Sequence, residues 1–183
     1  MDRDAAVELL KRHLKTRNLR NHTFAVEAVM RKLARHLGED EDRWGLAGLL
    51  HDIDYDYTAD DPERHSLEGA KMLEETGVDR EIVQAVRAHN DAHELPRETT
   101  MAKALYAIDP LTGLIVASAL IHPDKKLSAI DVPFVMNRYG EKSFARGARR
   151  EAIETCEELG VPLEAFVGLA LEAMQEIDDE LGL

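Results

Sequence analysis

Apolar residues recur at three- and four-residue intervals along almost the whole chain, and nowhere do apolar and polar positions alternate for the length of a strand. The pattern predicts an all-α protein. A first helix is expected from about Asp4 to Leu14 and a second from about Asn21 to Leu37, where Gly38 supplies a left-handed stop. A third should span about Asp40 to Ile53. The polar stretch Asp54 to Asp61 reads as turns, and Asp61-Pro62 as the opening of a fourth helix that Gly77 closes. A fifth covers about Asp79 to His89. After a loop through Pro96, Thr99 or Thr100 caps a long apolar segment reaching Ile121, with a kink or break expected at Asp109-Pro110. Beyond an irregular stretch from His122 to about Glu141, two amphipathic helices, Ser143 to Leu159 and Leu163 to Leu181, should hinge at Gly160-Val161-Pro162.

The apolar stripes carry unexpected cargo. His22 leads the row His22, Val26, Val29, Leu33, and His51 ends the row Trp44, Ala47, Gly48, His51, with Asp52 beside it. His65 leads His65, Gly69, Met72; His89 ends Ile82, Val86, His89; Asp109 ends Ala102, Leu105, Asp109. Any one inward histidine is more often a hydrogen-bonded core residue than a ligand. Four inward histidines and two inward carboxylates in one small acidic chain are hard to bury without a cation, because each unpaired polar group costs several kcal/mol to desolvate. His13, His36, His93 and His122 fall at helix ends or in loops and read as surface histidines.

Composition narrows the classes. With 183 residues, 44% hydrophobic and 32% charged, the chain can bury about 70% of its unfolded surface, so a metal would serve chemistry rather than hold the fold together. A formal net charge of -13 repels nucleic-acid backbones and anionic bilayers, so neither is an expected partner. One cysteine, Cys156, cannot form an internal disulfide, and the opening Met1-Asp2-Arg3-Asp4 has no signal-peptide character; a cytoplasmic location is expected. The longest apolar run, Leu114 to Ile121, is far short of the roughly 20 residues of a membrane span.

The adjacent pair His51-Asp52 is the specific feature. Neighbouring residues diverge by about 100° on a helix, so both reach one cluster only from a helix end. In its order of His22, then His51-Asp52 within Leu49-Leu50-His51-Asp52-Ile53-Asp54, then Asp109 within Tyr106-Ala107-Ile108-Asp109, the chain resembles the HD superfamily of metal-dependent phosphohydrolases over about residues 20–115. His65 in His65-Ser66-Leu67-Glu68-Gly69-Ala70 and His89 in Ala85-Val86-Arg87-Ala88-His89 are similar to the two extra ligands of the family's two-metal members, in particular its diadenosine tetraphosphate hydrolases. The chain departs from them where Asp54-Tyr55 stands in place of Gly-Lys, so a phosphate-binding lysine is missing.

The resemblance implies an HD-type helical bundle, one domain over residues 1–183 with two additional C-terminal helices, acting as a metal-dependent hydrolase of a phosphoester or phosphoanhydride. The substrate would be a nucleotide or other small phosphorylated metabolite. It also implies that His22, His51, Asp52 and Asp109 hold a first metal and Asp52, His65 and His89 a second. One or two ions of manganese, iron, cobalt, nickel or zinc suit such ligands. Asp54 and Asp56, just past the motif, are candidates to orient the attacking water or protonate the leaving group alongside Asp52, and solvated loop acids are the plain alternative. A positive charge for the phosphate is expected between Lys125 and Arg150, where seven basic side chains face two acidic ones. There Lys142, Arg146 and Arg149 should share a helix face capped by Ser143. Two alternatives keep the fold: a di-iron oxygenase using the same ligands, and a non-catalytic nucleotide-binding module. The last helices allow a monomer or a homodimer.

Overall fold

The computed structural model describes residues 1–183, which fold entirely into helices and turns. α1 (Arg3–His13) is capped by Asp2, whose carboxylate accepts from the amide of Ala5. α2 (Arg17–Leu37) ends at Gly38, which takes the left-handed conformation at φ 76° that glycine adopts without penalty. α3 (Glu41–Leu50) follows a cap by Asp40. The turns after it hold a short α4 (Tyr55–Thr58), and α5 (Leu67–Glu75) begins later than Asp61-Pro62 predicts, because residues 62–66 form consecutive turns that carry His65. α6 (Arg80–Ala88) and α7 (Thr100–Ile121) complete the region around the histidines.

α7 runs unbroken through Pro110. The lost backbone donor is one bond in 22 residues, and twelve other buried side chains on both sides of the proline hold the helix in line. By length and composition α7 could cross a membrane, contrary to the expectation from the run after Pro110 alone; 61% of its most apolar window is buried inside the fold, against α2, α6, α8 and α9.

The C-terminal region differs most from its pattern. Val132–Gly140 forms α8, with Asp131 as cap and Pro133 in the first turn, where a turn or loop is expected. The helix predicted from Ser143 starts only at α9 (Arg150–Glu154), which tightens into a 3-10 segment over Thr155–Leu159. Residues 141–149 are turns instead, and the reason is Arg150. Its guanidinium donates to the carbonyls of Arg138, Tyr139, Phe144, Ala145 and Ala148 over 2.6–3.3 Å, satisfying groups a helix would have bonded internally. α10 (Leu163–Gln175) and α11 (Asp178–Leu181) stand where one helix is predicted. One apolar cluster runs from Ala6 to Leu181, so the C-terminal helices share the core of the histidine-bearing ones.

Candidate metal centre

One close helix approach sets the frame. A Cβ on Gly48 of α3 would lie 2.9 Å from the backbone of Glu27 on α2, so only glycine lets these helices touch there. α3 then ends at Leu50, which leaves His51 at the helix terminus and Asp52 in the turn beyond, both pointing to one place. α2 contributes His22, and α7 contributes Asp109 one residue before its proline. His89 follows the last residue of α6, and His65 sits in the turns before α5.

The six side chains meet. The Nε2 of His22 is 3.0 Å from Asp109 Oδ1 and 3.7 Å from Asp52 Oδ2; the Nε2 of His51 is 3.4 Å from Asp52 Oδ2 and 3.8 Å from Asp109 Oδ1. On the other side, Asp52 Oδ1 lies 3.3 Å from His65 Nε2 and 3.4 Å from His89 Nε2, and these two nitrogens are 3.2 Å apart. Ligands on one ion with bonds of about 2.1 Å sit roughly 3.0–3.4 Å from one another, so most of the spacings are those of coordination spheres. Asp52 turns a different oxygen to each set.

All four imidazoles are oriented through their other nitrogen. Nδ1 of His51 donates to Gly48 O (2.8 Å) and Nδ1 of His89 to Val86 O (2.6 Å). Thr112 Oγ1 donates to Asp109 O and therefore accepts from His22 Nδ1 (3.2 Å). His65 Nδ1 donates to Asp54 Oδ1 (3.1 Å). In the neutral rings each proton is thereby placed on Nδ1, and each Nε2 has a lone pair to present to a cation at the centre. The Nε2 of His51 is buried with no hydrogen-bond partner at all. An orphaned acceptor of this kind costs about 1–3 kcal/mol unless something electrophilic meets it, so the residues fit a bound cation.

Electrostatics agrees. Burial works against the charge on Asp52, yet the histidines around it, His51 first, hold it well below the usual carboxylate range. Asp109 is likewise lowered against its burial, by His22. His65 is raised to about 10 because Asp52 and Asp54 outweigh its desolvation, and His22 is raised the same way by Asp109. Burial dominates at His51 and keeps that ring below its ordinary value. The site stabilises positive charge, and His51 supplies a neutral imidazole.

The two acids beyond the motif have other work. Asp54 is completely buried, and its Oδ2 accepts from the amides of Ser66 (2.8 Å) and Gly69 (2.9 Å) while Oδ1 fixes His65. A Cβ on Gly69 would come within 3.2 Å of that carboxylate. With Tyr55 edge-on to the His65 ring at 4.9 Å, the Asp54-Tyr55 pair that departs from the Gly-Lys pattern is a support for His65. Asp54 is thus a positioning residue with no open face towards a water or leaving group. Asp56 lies outside the site: it accepts from the amides of Lys15 and Thr16 and, at 2.7 Å, from the Thr16 hydroxyl, tying down the turn between α1 and α2. A catalytic role for it is corrected accordingly.

Of the basic trio, one member reaches the centre. Arg149 lines a cavity of about 280 Å³ with His65, His89, Asn90, Asp91 and Asp109, and pairs with Asp91. Lys142 and Arg146 are exposed in the turns before α9, along a surface hollow that Arg149 also borders but that holds none of the six converging side chains. They share no helix face with Arg149, because Arg150 has taken the carbonyls a helix would need. The sequence pattern also passes over five residues. Asn90 and His93 both donate to His65 O (3.1 and 2.7 Å), so His93 is no idle surface histidine. Arg97 and Tyr106 stack with the guanidinium carbon 3.4 Å from the ring centre, and both bind Asp91. Asn90, Asp91 and His93 fall within four residues of His89, and that proximity was the available signal.

The sequence model of the HD domain family matches residues 19–122, a span that holds all six converging side chains. The chain is 32% identical over 98 residues to ribonuclease Y of Oleidesulfovibrio alaskensis, covering 54% of this chain and 18% of that protein. Against ribonuclease Y of Thermotoga petrophila it is 25% identical over 165 residues, 90% of this chain and 32% of the relative. The matches therefore span between about a fifth and a third of the length of these curated relatives. No solved structure matches the chain. With more than half its length under one family model, the chain belongs to the HD domain family.

Proposed function

We propose that this protein is a dinuclear metal-dependent phosphohydrolase acting on a small phosphorylated substrate. The observation that carries the reading is Asp52, whose two oxygens face two separate sets of imidazole nitrogens within 3.3–3.7 Å. His22, His51, Asp52 and Asp109 would hold one ion and Asp52, His65 and His89 the other. Divalent ions bound there would acidify water and neutralise charge developing on phosphoryl oxygens.

The chain's own residues do the rest. Asp109, 28% exposed at its side chain, and His22, at 23%, open the centre to solvent, whereas His51 and His89 close it from below. Arg149 stands over the opening and can exchange Asp91 for a phosphoryl oxygen. Asp91 meanwhile keeps Arg97 beside it, which leaves the rim cationic when a substrate arrives. The name ribonuclease Y supports a phosphoester bond as the target. The net charge of -13 favours a small substrate over a nucleic acid.

The test is metal analysis of the purified protein, followed by phosphate release from phosphorylated metabolites with manganese, iron, cobalt, nickel or zinc. Two equivalents of metal and turnover of a phosphoester are expected. A mixed-valence di-iron optical spectrum without phosphate release would move the reading to an oxygenase. Arg149→Gln should raise KM by about tenfold or more at unchanged metal content, while Arg146→Gln stays near wild type.

A further inference from the structure

The turns at residues 141–149 separate two hollows. One is the surface hollow of about 450 Å³ lined by Tyr139, Lys142, Arg146 and Arg150 among others. The other, of about 300 Å³, lies over the first set of metal ligands: Ala145, Gly147 and Ala148 line it together with His22, Asp109, Pro110 and Gly113. No side chain in that turn wall is longer than a methyl group, so what the wall offers a ligand is its backbone.

Arg150 decides which end of that backbone is offered. Its guanidinium donates to the carbonyls of Phe144 (2.8 Å), Ala145 (2.9 Å) and Ala148 (2.6 Å). Every peptide bond of the chain is trans, and across a trans peptide the amide points opposite to the carbonyl before it. The amides of Ala145, Arg146 and Arg149 are therefore turned away from Arg150, which borders the surface hollow and not the one over Asp109. None of the three donates to an acceptor within the chain. Ala145 also holds φ at 44°, a left-handed conformation that costs a non-glycine residue about 1–3 kcal/mol. Such a residue in a turn brings successive amides onto one side, a concave arrangement suited to anions.

We infer that the amides of Ala145, Arg146 and Arg149 form a cradle for the substrate's phosphoryl oxygens, and that Arg150 is the positioning residue that builds it. This rests on the hydrolase reading above, which places a phosphoryl group at the metal ligands. The cradle supplies oxyanion donors to a chain that has Asp54-Tyr55 in place of Gly-Lys. An amide carries no charge for Asp52 or Asp109 to pair with, so it stays free for the phosphoryl group, whereas Arg149 is held by Asp91 until a substrate displaces it. Hydrogen bonds from amides to an oxyanion are charge-assisted and among the stronger ones. Arg150 touches no substrate; it acts by keeping the carbonyls on the far side of the turn.

Two measurements on the whole chain decide the matter. In amide NMR spectra of zinc-loaded wild type, inorganic phosphate should move the amide protons of Ala145, Arg146 and Arg149 downfield and leave those of Glu151 and Glu154, which line the surface hollow, in place. Three unmoved amides, or shifts confined to the surface hollow, overturn the cradle, and this result needs no variant to fold. In Arg150→Gln the same three shifts should vanish. Calorimetric affinity for phosphate should fall by about tenfold, and KM for 4-nitrophenyl phosphate should rise by a similar factor, with metal content unchanged and kcat within a few-fold. Unchanged affinity and KM in a folded Arg150→Gln also overturn it. Phosphate shifts at the three amides with no turnover of any phosphoester would leave the cradle standing and remove the hydrolase reading; turnover with the amides unmoved would do the reverse.

Discussion

The two oxygens of Asp52 look onto halves of the centre that are built differently. Oδ2 faces His22, His51 and Asp109, side chains mounted on α2, the end of α3 and α7, helices locked together by a glycine contact and the apolar core. Oδ1 faces His65 and His89, and here the support is polar. His65 rides on a turn whose next residue, Ser66, holds φ at 71°, a conformation that costs a non-glycine residue about 1–3 kcal/mol. What keeps it there is Asp54, through two amides and the imidazole, helped by Asn90 and His93 on the His65 carbonyl. A half fixed by core packing should hold its ion without further help; a half fixed by a hydrogen-bond network should hold it only while the network is whole.

The largest effect should come from the residue both halves share. Asp52→Asn should lower kcat/KM by more than about 100-fold and release metal from both halves, as read by elemental analysis. Retention of two ions would show that the carboxylate is no bridge. Next come the separate ligands. His22→Ala should empty the first half and abolish turnover, whereas His65→Ala should leave one ion in place; identical metal content in the two variants would erase the distinction drawn here.

Asp54→Asn is the sharper probe, because it touches no metal. It should weaken the second ion about 10–100-fold in a competition titration with a chelator and leave the first unaffected. The smallest effect is a pH dependence. In metal-stripped protein the His65 pKa of about 10 lies above its unfolded value near 6.5, so its contribution to stability is complete below pH 6.5 and is lost as pH rises towards 10. The melting temperature of stripped protein should fall across that window, while metal-loaded protein gains from the same rise because protons compete less for the imidazoles. Parallel curves would remove the electrostatic account of His65.

Much of the first half could be read along the chain. His22, His51 and Asp109 lie on helical apolar rows, and adjacency of His51 and Asp52 demands a helix end, which α3 supplies at Leu50. The second half was legible only as residue types at the right places. Asp54 looks like a loop acid until Ser66 and Gly69 arrive from twelve and fifteen residues further on. Asp56 has the same local appearance and ends up clamping Lys15 and Thr16, so nothing near either residue separates their roles. The basic stretch shows the same limit. Arg149 and Arg150 are neighbours, yet one guanidinium turns to the histidine cleft and the other satisfies five carbonyls of the preceding turns and α8.

Periodicity determined by itself that this chain is helical, which faces are buried and that histidines sit on those faces, because helical spacing and burial are local consequences of residue order. Where a helix yields to turns at residues 141–149, which of two aspartates supports an imidazole, and which arginine overlooks the centre were decided only in three dimensions. Those outcomes depend on which distant donor satisfies a carbonyl or carboxylate first, and that competition is between partners the order of residues does not place side by side.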